Sequence, residues 1–203
     1  MTSINRVEAF SDGVFAIAIT LLVLGLHLPA ADAPLGQALI DQWPAYFAYA
    51  VSFLSIGIIW ISHHRLFELI ERSDTTFAFI NVVFLMVIAF IPFPTDVLAQ
   101  RLGNGLDTGL AVGLYGVTLT VMSAMFGVMR LYASSRDGHL LRADVEPAAG
   151  RSPLPAKIAP LIYLAITLTA VVNPVIPMIL FVAYGLYWIL PVSTPYRSRH
   201  ADD

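Results

Sequence analysis

Polar residues occupy the start of the first apolar segment, where a plain membrane anchor would have none. This segment reads RVEAFSDGVFAIAITLLVLGLHLP from Arg6 to Pro29, and it carries Ser11 and Asp12 close to its beginning. An acid inside an apolar helix is costly unless partners satisfy it, and such residues usually mark ion pathways, proton relays or interhelical bonds. The pattern indicates a helix with more to do than span a bilayer.

A second polar set lies in the next two apolar segments. Trp60, His63 and His64 stand near the end of the second segment, and Asn81 stands early in the third. We expect some of these side chains to bond to the polar residues of the first helix and to hold its base in place. The alternative is that Asp12 is a helix N-cap and that the other residues are interfacial without a special role.

The adjacent histidines raise three further kinds of chemistry. On a helix, His63 and His64 point about 100° apart, so they do not easily chelate one ion together, and we predict no metal site. Proton sensing remains open because imidazole titrates near neutrality. Ser11 with either histidine is the only candidate set for nucleophilic catalysis, but no Gly-x-Ser-x-Gly-like turn accompanies it. We predict that the chain is not an enzyme.

The composition defines the environment in which these residues must work. Of the 203 residues, 58% are hydrophobic and 12% are charged, and the mean hydropathy is +0.76. A soluble domain of this length does not hide so much apolar surface. The absence of cysteine excludes disulfides and thiolate metal sites, and no basic cluster suits a nucleic acid. We therefore predict an all-α polytopic membrane protein without a cofactor.

Six apolar segments carry this prediction, and each is about as long as the ~20 residues that cross a hydrocarbon core. Membrane-spanning strands would alternate apolar and polar residues, and that alternation is absent. We predict a single six-span transmembrane domain over residues 1–203. The predicted spans are Phe10–Leu28, Trp43–Ser62, Thr76–Leu98, Thr108–Tyr132, Pro155–Val172 and Val175–Val192.

The basic residues predict the orientation of these spans. With six spans, every Lys and Arg except Arg101 falls on the side that holds both termini. Positively charged loops stay in the cytoplasm, so both termini are expected to be cytoplasmic. Ten of the eleven basic residues are Arg and Ala is abundant, a composition typical of a bacterial protein, so the expected location is the inner membrane of a bacterium. A cleavable signal peptide ending near Ala33 is the alternative, but Glu8 and Asp12 stand where a signal peptide prefers net positive charge.

The apolar residues of the first helix form a stripe at helical spacing. Taken alone, this stripe fits a surface that packs against a neighbouring helix as well as it fits the lining of a pore. Its members are Gly13, Ile17, Thr20, Leu21, Leu24 and Leu28.

Three strings in the first half of the chain resemble one family. RVEAFSDG matches Arg-x-x-x-Phe-Ser-Asp-Gly, IIWISHHRLFELI is similar to Trp-x-x-His-His-Arg-Leu-Phe, and INVVFLMVIAFIPFPTDVL begins with Asn and contains Pro-Phe-Pro-Thr. Together they resemble the transmembrane-protein-175 family, the potassium channels of endosomes and lysosomes, which have shorter bacterial relatives. The last three spans resemble the family only in number and hydropathy.

The resemblance implies a homotetrameric cation channel whose first helices line the pore among membrane lipids. It implies apolar constriction rings at Ile17, Leu21 and Leu24, and a hydroxyl layer at Thr20 that gives modest preference for K⁺, the permeant ion, over Na⁺. It also implies a network that anchors the pore helix. The residues assigned to that network are Arg6, Phe10, Ser11, Asp12, Trp60, His63, His64 and Asn81.

The chain departs from the resemblance at the outer end of the first helix. This end carries Gly25 and His27, where bacterial relatives often have an acid.

Two other functions stay open. A secondary transporter or proton-coupled carrier is the main alternative, although repeats and mid-span broken helices, typical of carriers, are not visible. A structural subunit without flux of its own is the other alternative.

Overall fold

Helices make up the chain in the computed structural model, which describes residues 4–32, 34–104, 107–135, 140–142 and 154–189. An isolated antiparallel bridge pairs Ile70 with Leu141. The helices are α1 (Ile4–Leu21), α2 (Leu35–Asp41), α3 (Trp43–Glu68), α4 (Thr75–Phe90), α5 (Pro92–Asn104), α6 (Thr108–Ser134), α7 (Leu154–Leu168) and α8 (Val175–Ile189).

The first helix begins earlier and ends earlier than its apolar segment predicts. It starts at Ile4 rather than at Phe10, and after Leu21 it tightens into a 3₁₀ turn over Leu22–Gly25. The hydropathy pattern missed this start because the first turns carry polar residues. Hydropathy indicates which part of a helix lies in lipid, and a helix can begin before that part. Asp12 therefore lies well inside α1, and the alternative that made it an N-cap is wrong.

The third predicted span is two helices. α4 ends at Phe90 and α5 begins at Pro92, with Ile91 between them. Pro92 and Pro94 have no backbone N–H, so the α-helical hydrogen-bond ladder is interrupted at this point. The Thr95 amide resumes it by donating to the Ile91 carbonyl at 3.1 Å. The start of α5 packs beside the 3₁₀ end of α1.

Four stretches are long and apolar enough to cross a membrane. They are Ile4–Gly25, Trp43–Glu68, Thr75–Leu102 and Thr108–Ser134. Two shorter apolar helices, Ile158–Leu168 and Val175–Tyr187, follow them in the described part of the chain. The predicted end of the last span, Val192, lies outside the described residues, so the six-span count stays a prediction.

The cytoplasmic loops predicted from charge are tied together near the end of α3. The Glu71 amide donates to the Leu140 carbonyl at 2.8 Å, and the Arg142 amide donates to the Leu69 carbonyl at 3.0 Å. At the start of α4, Asp74 accepts from the Phe77 amide at 2.7 Å and so caps the helix. These contacts fix the ends of α3 and α4, the two helices on which α1 packs.

Close packing of α6 against α7 depends on a glycine. A Cβ added at Gly116 would overlap the Thr167 side chain, with 2.8 Å to its Cβ, whereas one added at Gly113 would meet no atom within 4 Å. We expect Gly116→Ala to lower the free energy of unfolding by about 1–3 kcal/mol because the core has no room for a methyl group. Gly113→Ala is the control, and it should be neutral or stabilising by up to about 1 kcal/mol. Unfolding in mixed detergent micelles measures both, and equal effects would contradict the packing.

Candidate functional site

The first helix presents two faces with different environments. Val7, Ser11, Phe15, Ala18 and Leu22 are buried against the rest of the subunit. The stripe on the other side is exposed, with exposed fractions of 61% at Ile17 and 72% at Leu24, which lies in the 3₁₀ turn. Gly13, Thr20 and Leu21 are exposed with them. Leu28 lies beyond the end of this turn in non-helical chain, so its predicted place on the helical stripe is wrong. An apolar stripe that its own subunit leaves uncovered is available to lipid, to other subunits or to a pore lumen.

A buried polar chain joins α1 to α4 and α3. The Ser11 hydroxyl donates to the Val7 carbonyl at 2.8 Å, and Nδ2 of Asn81 donates to Ser11 Oγ at 2.9 Å. Oδ1 of Asn81 is 2.9 Å from Nε2 of His63, and an amide oxygen only accepts, so His63 carries its proton on Nε2. All three side chains are fully or almost fully buried. Each of these buried side chains has a hydrogen-bond partner, so the hydrogen-bonded chain stabilises the packing of α1 and fixes its orientation against α3 and α4.

Aromatic rings surround His63 within this chain. Its ring stacks on Phe67 with centroids 4.2 Å apart and lies parallel to Phe84 at 5.7 Å. Phe15 of α1 meets it edge-on at 5.4 Å. The imidazole therefore connects three helices by packing as well as by its hydrogen bond.

A second set of contacts lies beside the buried chain and nearer the surface. Nε1 of Trp60 donates to Oδ1 of Asp12 at 2.9 Å. The Trp60 ring stacks on His64 with centroids 5.9 Å apart, and His64 Nδ1 lies 3.1 Å from Oε1 of Glu8. Glu8 and Asp12 are one helical turn apart on α1, as Trp60 and His64 are on α3, so two adjacent rungs connect the helices.

Glu8 is the residue of this site that the sequence prediction missed. Its signal was available, because the four-residue spacing from Glu8 to Asp12 repeats the spacing from Trp60 to His64. An acid one turn before Asp12, facing a histidine one turn after Trp60, pairs naturally when two helices run antiparallel.

Two residues assigned to the network lie outside it. Arg6 is exposed and has no hydrogen bond or ion pair within the described part of the chain. Phe10 is 56% exposed. Both occupy the side of α1 that faces away from α3 and α4, so within one subunit the anchoring contacts come from the other six predicted residues and from Glu8.

The arrangement does not form the nucleophile considered for an enzyme. Ser11 Oγ contacts the Val7 carbonyl and the Asn81 amide, and His63 uses Nε2 for Asn81. A serine nucleophile needs a base within hydrogen-bond reach. Among the described residues, no group of three or more His, Asp or Glu side chains is placed to hold a metal ion.

A further polar cluster, which the sequence analysis did not single out, lies in the core toward the other end of the bundle. Ser52 Oγ is 2.8 Å from Thr95 Oγ1 and 3.1 Å from the Tyr115 hydroxyl, and all three side chains are buried. Thr95 Oγ1 also donates to the Ile91 carbonyl at 2.8 Å. The cluster connects α3 and α6 to the first turn of α5, just after the proline break.

The fold and these contacts define a helical multi-pass membrane protein whose first helix is braced on one face and uncovered on the other. Residues 6–92 match the family model described as endosomal/lysosomal potassium channel TMEM175. A potassium channel of Streptomyces collinus is 44% identical over 75% of this chain and 74% of its own length. One of Chamaesiphon minutus is 39% identical over 66% and 67%.

A solved structure agrees with both. The crystal structure of a lysosomal potassium-selective channel TMEM175 homolog from Chamaesiphon minutus superposes with a TM-score of 0.81. The match covers 94% of this chain and 98% of that one at 31% identity. The chain belongs to the TMEM175 family, and the predicted resemblance and the all-α membrane fold are confirmed. Its relatives in this family are ion channels and not enzymes.

Proposed function

We propose that this protein is the subunit of a potassium-permeable cation channel, a homotetramer in which α1 of each subunit lines the pore. The observation that carries the proposal is the uncovered stripe of α1, opposite a face that α3 and α4 hold by hydrogen bonds and ring packing. A pore helix needs both properties. Its lining must face the lumen, and the rest of the subunit must hold the helix in the rotation about its axis that presents this lining. The potassium-channel relatives support the choice of ion.

In this proposal, Ile17, Leu21 and Leu24 form successive apolar rings. A ring of side chains without polar partners expels water, so an ion meets a dewetted barrier until the helices tilt or rotate apart. Thr20 lies among these rings, and its hydroxyl donates to the Ile17 carbonyl at 2.9 Å. Its oxygen lone pairs therefore remain free to face cations, which supports a modest preference for K⁺ over Na⁺.

The arrangement in the membrane is part of the same proposal. Six spans over residues 1–203 place both termini in the cytoplasm of a bacterium, with α7 and α8 within the fifth and sixth spans. The distribution of basic residues supports this orientation. The network around Asp12 then lies toward the cytoplasm, and the Gly25 end of α1 lies toward the outside.

Flux measurements on reconstituted protein test the proposal. Liposomes that contain the purified full chain are expected to pass K⁺ passively down its gradient, with a smaller Na⁺ flux recorded in parallel, while empty liposomes stay tight. Passive flux that does not saturate with K⁺ concentration distinguishes a channel from a carrier. Coupled, saturating flux would favour the carrier, and silence from folded tetramers across pH and voltage would remove the proposal.

A further inference from the structure

The short helix α2 carries an apolar side that the rest of the subunit leaves uncovered. Leu35, Leu39 and Ile40 are 62%, 42% and 67% exposed, and no residue of α2 is buried. On a helix these three side chains fall within an arc of about 140°, so they share one side. Within the described part of the chain, α2 packs mainly on α3.

The opposite side of α2 is polar and exposed. Gln37 and Asp41 lie one turn apart on that side, and Nε2 of Gln37 donates to Oδ1 of Asp41 at 2.8 Å in an exposed contact. An apolar side and a polar side, both uncovered, are typical of a helix that lies along the boundary between water and an apolar phase.

The length and the ends of α2 indicate that something outside the subunit stabilises it. It has seven residues, and so short a helix is not stable alone in water because nucleation costs more than its few hydrogen bonds return. Its N-cap, Pro34, makes no side-chain hydrogen bond, and Gly36 inside the helix lowers its stability further. Since no buried side chain holds it either, α2 needs a surface that covers its apolar side.

The position of α2 along the chain indicates which surface that is. α2 ends at Asp41, and the apolar stretch of α3 that is long enough to cross a membrane begins at Trp43, so only Gln42 separates them. The end of a membrane-spanning helix lies at the boundary between hydrocarbon and headgroups. Trp43 and Tyr46 are exposed in the first turn of α3, and Trp and Tyr rings concentrate at that boundary. α2 therefore begins its course beside the lipid headgroups.

We propose that α2 is an interfacial helix that lies on the bilayer surface, with Leu35, Leu39 and Ile40 inserted among the headgroups and the upper acyl chains. The helix contains no Lys or Arg, so its insertion depends on apolar area and not on attraction to anionic lipid, and a neutral phosphatidylcholine surface suffices. This contact with lipid does not depend on the proposed channel function. Only its assignment to the outer leaflet rests on the orientation proposed above.

Spin labelling tests the depth of each side of α2, and the chain has no cysteine that would take the label elsewhere. Ile40→Cys and Gln37→Cys, each carrying a nitroxide, are made in the full chain and reconstituted in phosphatidylcholine liposomes. The label at position 40 is expected to collide more with oxygen, which dissolves in lipid, than with a water-soluble nickel complex. The label at position 37 should show the reverse. Both positions are exposed, so both variants should fold as the wild type does.

Other occupants of the apolar side give different results, and each would overturn the proposal. If a second copy of the chain covers this side, the label at position 40 collides with neither reagent, and labels on neighbouring copies broaden its spectrum. If nothing covers it, that label collides mainly with the nickel complex, as the label at position 37 does. Insertion that appears only when phosphatidylglycerol is added would contradict the dependence on apolar area alone.

Hydrogen exchange of the backbone amides of residues 35–41 is the second measurement. In phosphatidylcholine liposomes, Ile40→Ser should speed their exchange roughly tenfold, because the helix loses an apolar contact with lipid. Gln37→Ser introduces the same residue on the polar side, and this control should speed exchange less than about threefold. Equal acceleration by the two variants would mean that lipid does not hold the helix. Neither readout uses ion flux, so this proposal and the channel proposal succeed or fail separately.

Discussion

Replacing Ile17 with asparagine is expected to raise K⁺ flux through reconstituted tetramers roughly tenfold or more, equivalent to lowering the barrier by about 1.4 kcal/mol. Ile17 is 61% exposed on the uncovered stripe of α1. In the proposed tetramer this side chain meets its copies around the pore axis and excludes water. An amide at each of these positions holds water in the constriction, so ions keep more of their hydration as they pass.

Val23→Asn is the matched control for this experiment. Val23 is also exposed, at 50%, and belongs to the same helical segment, but it lies off the stripe. The same polar substitution there should leave K⁺ flux near that of the wild type. Na⁺ flux is recorded in parallel, and it should rise with K⁺ flux because the wider ring discriminates less. If Ile17→Asn conducts no better than Val23→Asn, the constriction does not lie on this face of α1, and the stripe is a packing surface.

Replacing His63 with alanine should destabilise the protein by about 2–4 kcal/mol, whereas the same change at its neighbour His64 should cost less than about 1 kcal/mol. His63 is 1% exposed, contacts three phenylalanine rings and supplies the donor to Asn81. Its removal leaves a cavity and an unsatisfied amide oxygen. The side chain of His64 is 45% exposed, so water replaces its contact with Glu8.

Unfolding in mixed detergent micelles, followed by tryptophan fluorescence, measures both substitutions. His63→Gln is the third variant, because a glutamine amide can restore the donor to Asn81 without the ring, and its loss of stability should fall between the other two. This variant also keeps the comparison informative if His63→Ala does not fold. Equal losses for His63→Ala and His64→Ala would contradict the buried chain that joins α1 to α3 and α4.

Hydropathy and motif residues predicted much of the architecture. The starts of α3, α4 and α6 fall at or next to the predicted positions, because lipid requires each apolar stretch to satisfy its own backbone as a helix. The stripe of α1 followed from spacing alone, since side chains three and four residues apart share a helix face. Both features depend on neighbours along the chain, and the sequence contains that information directly.

Proline chemistry was visible in the sequence but its consequence was not. Pro92 and Pro94 were placed near the end of one continuous span, whereas the structure breaks the helix at Ile91. A proline permits a kink, and the surrounding packing sets its position and direction. Asp96 lies beside Gly25, which is far away along the chain, so no local pattern predicted this contact.

The pairing of polar side chains was also decided by tertiary structure. The sequence by itself determined that polar residues on the first three apolar segments need partners, because lipid supplies none. It did not determine that His63 faces the core while His64 faces Glu8, or that Arg6 and Phe10 face away. Those outcomes depend on how far α3 and α4 are rotated against α1, and this rotation is set by the whole packed core, in which Phe15, Phe67 and Phe84 surround His63.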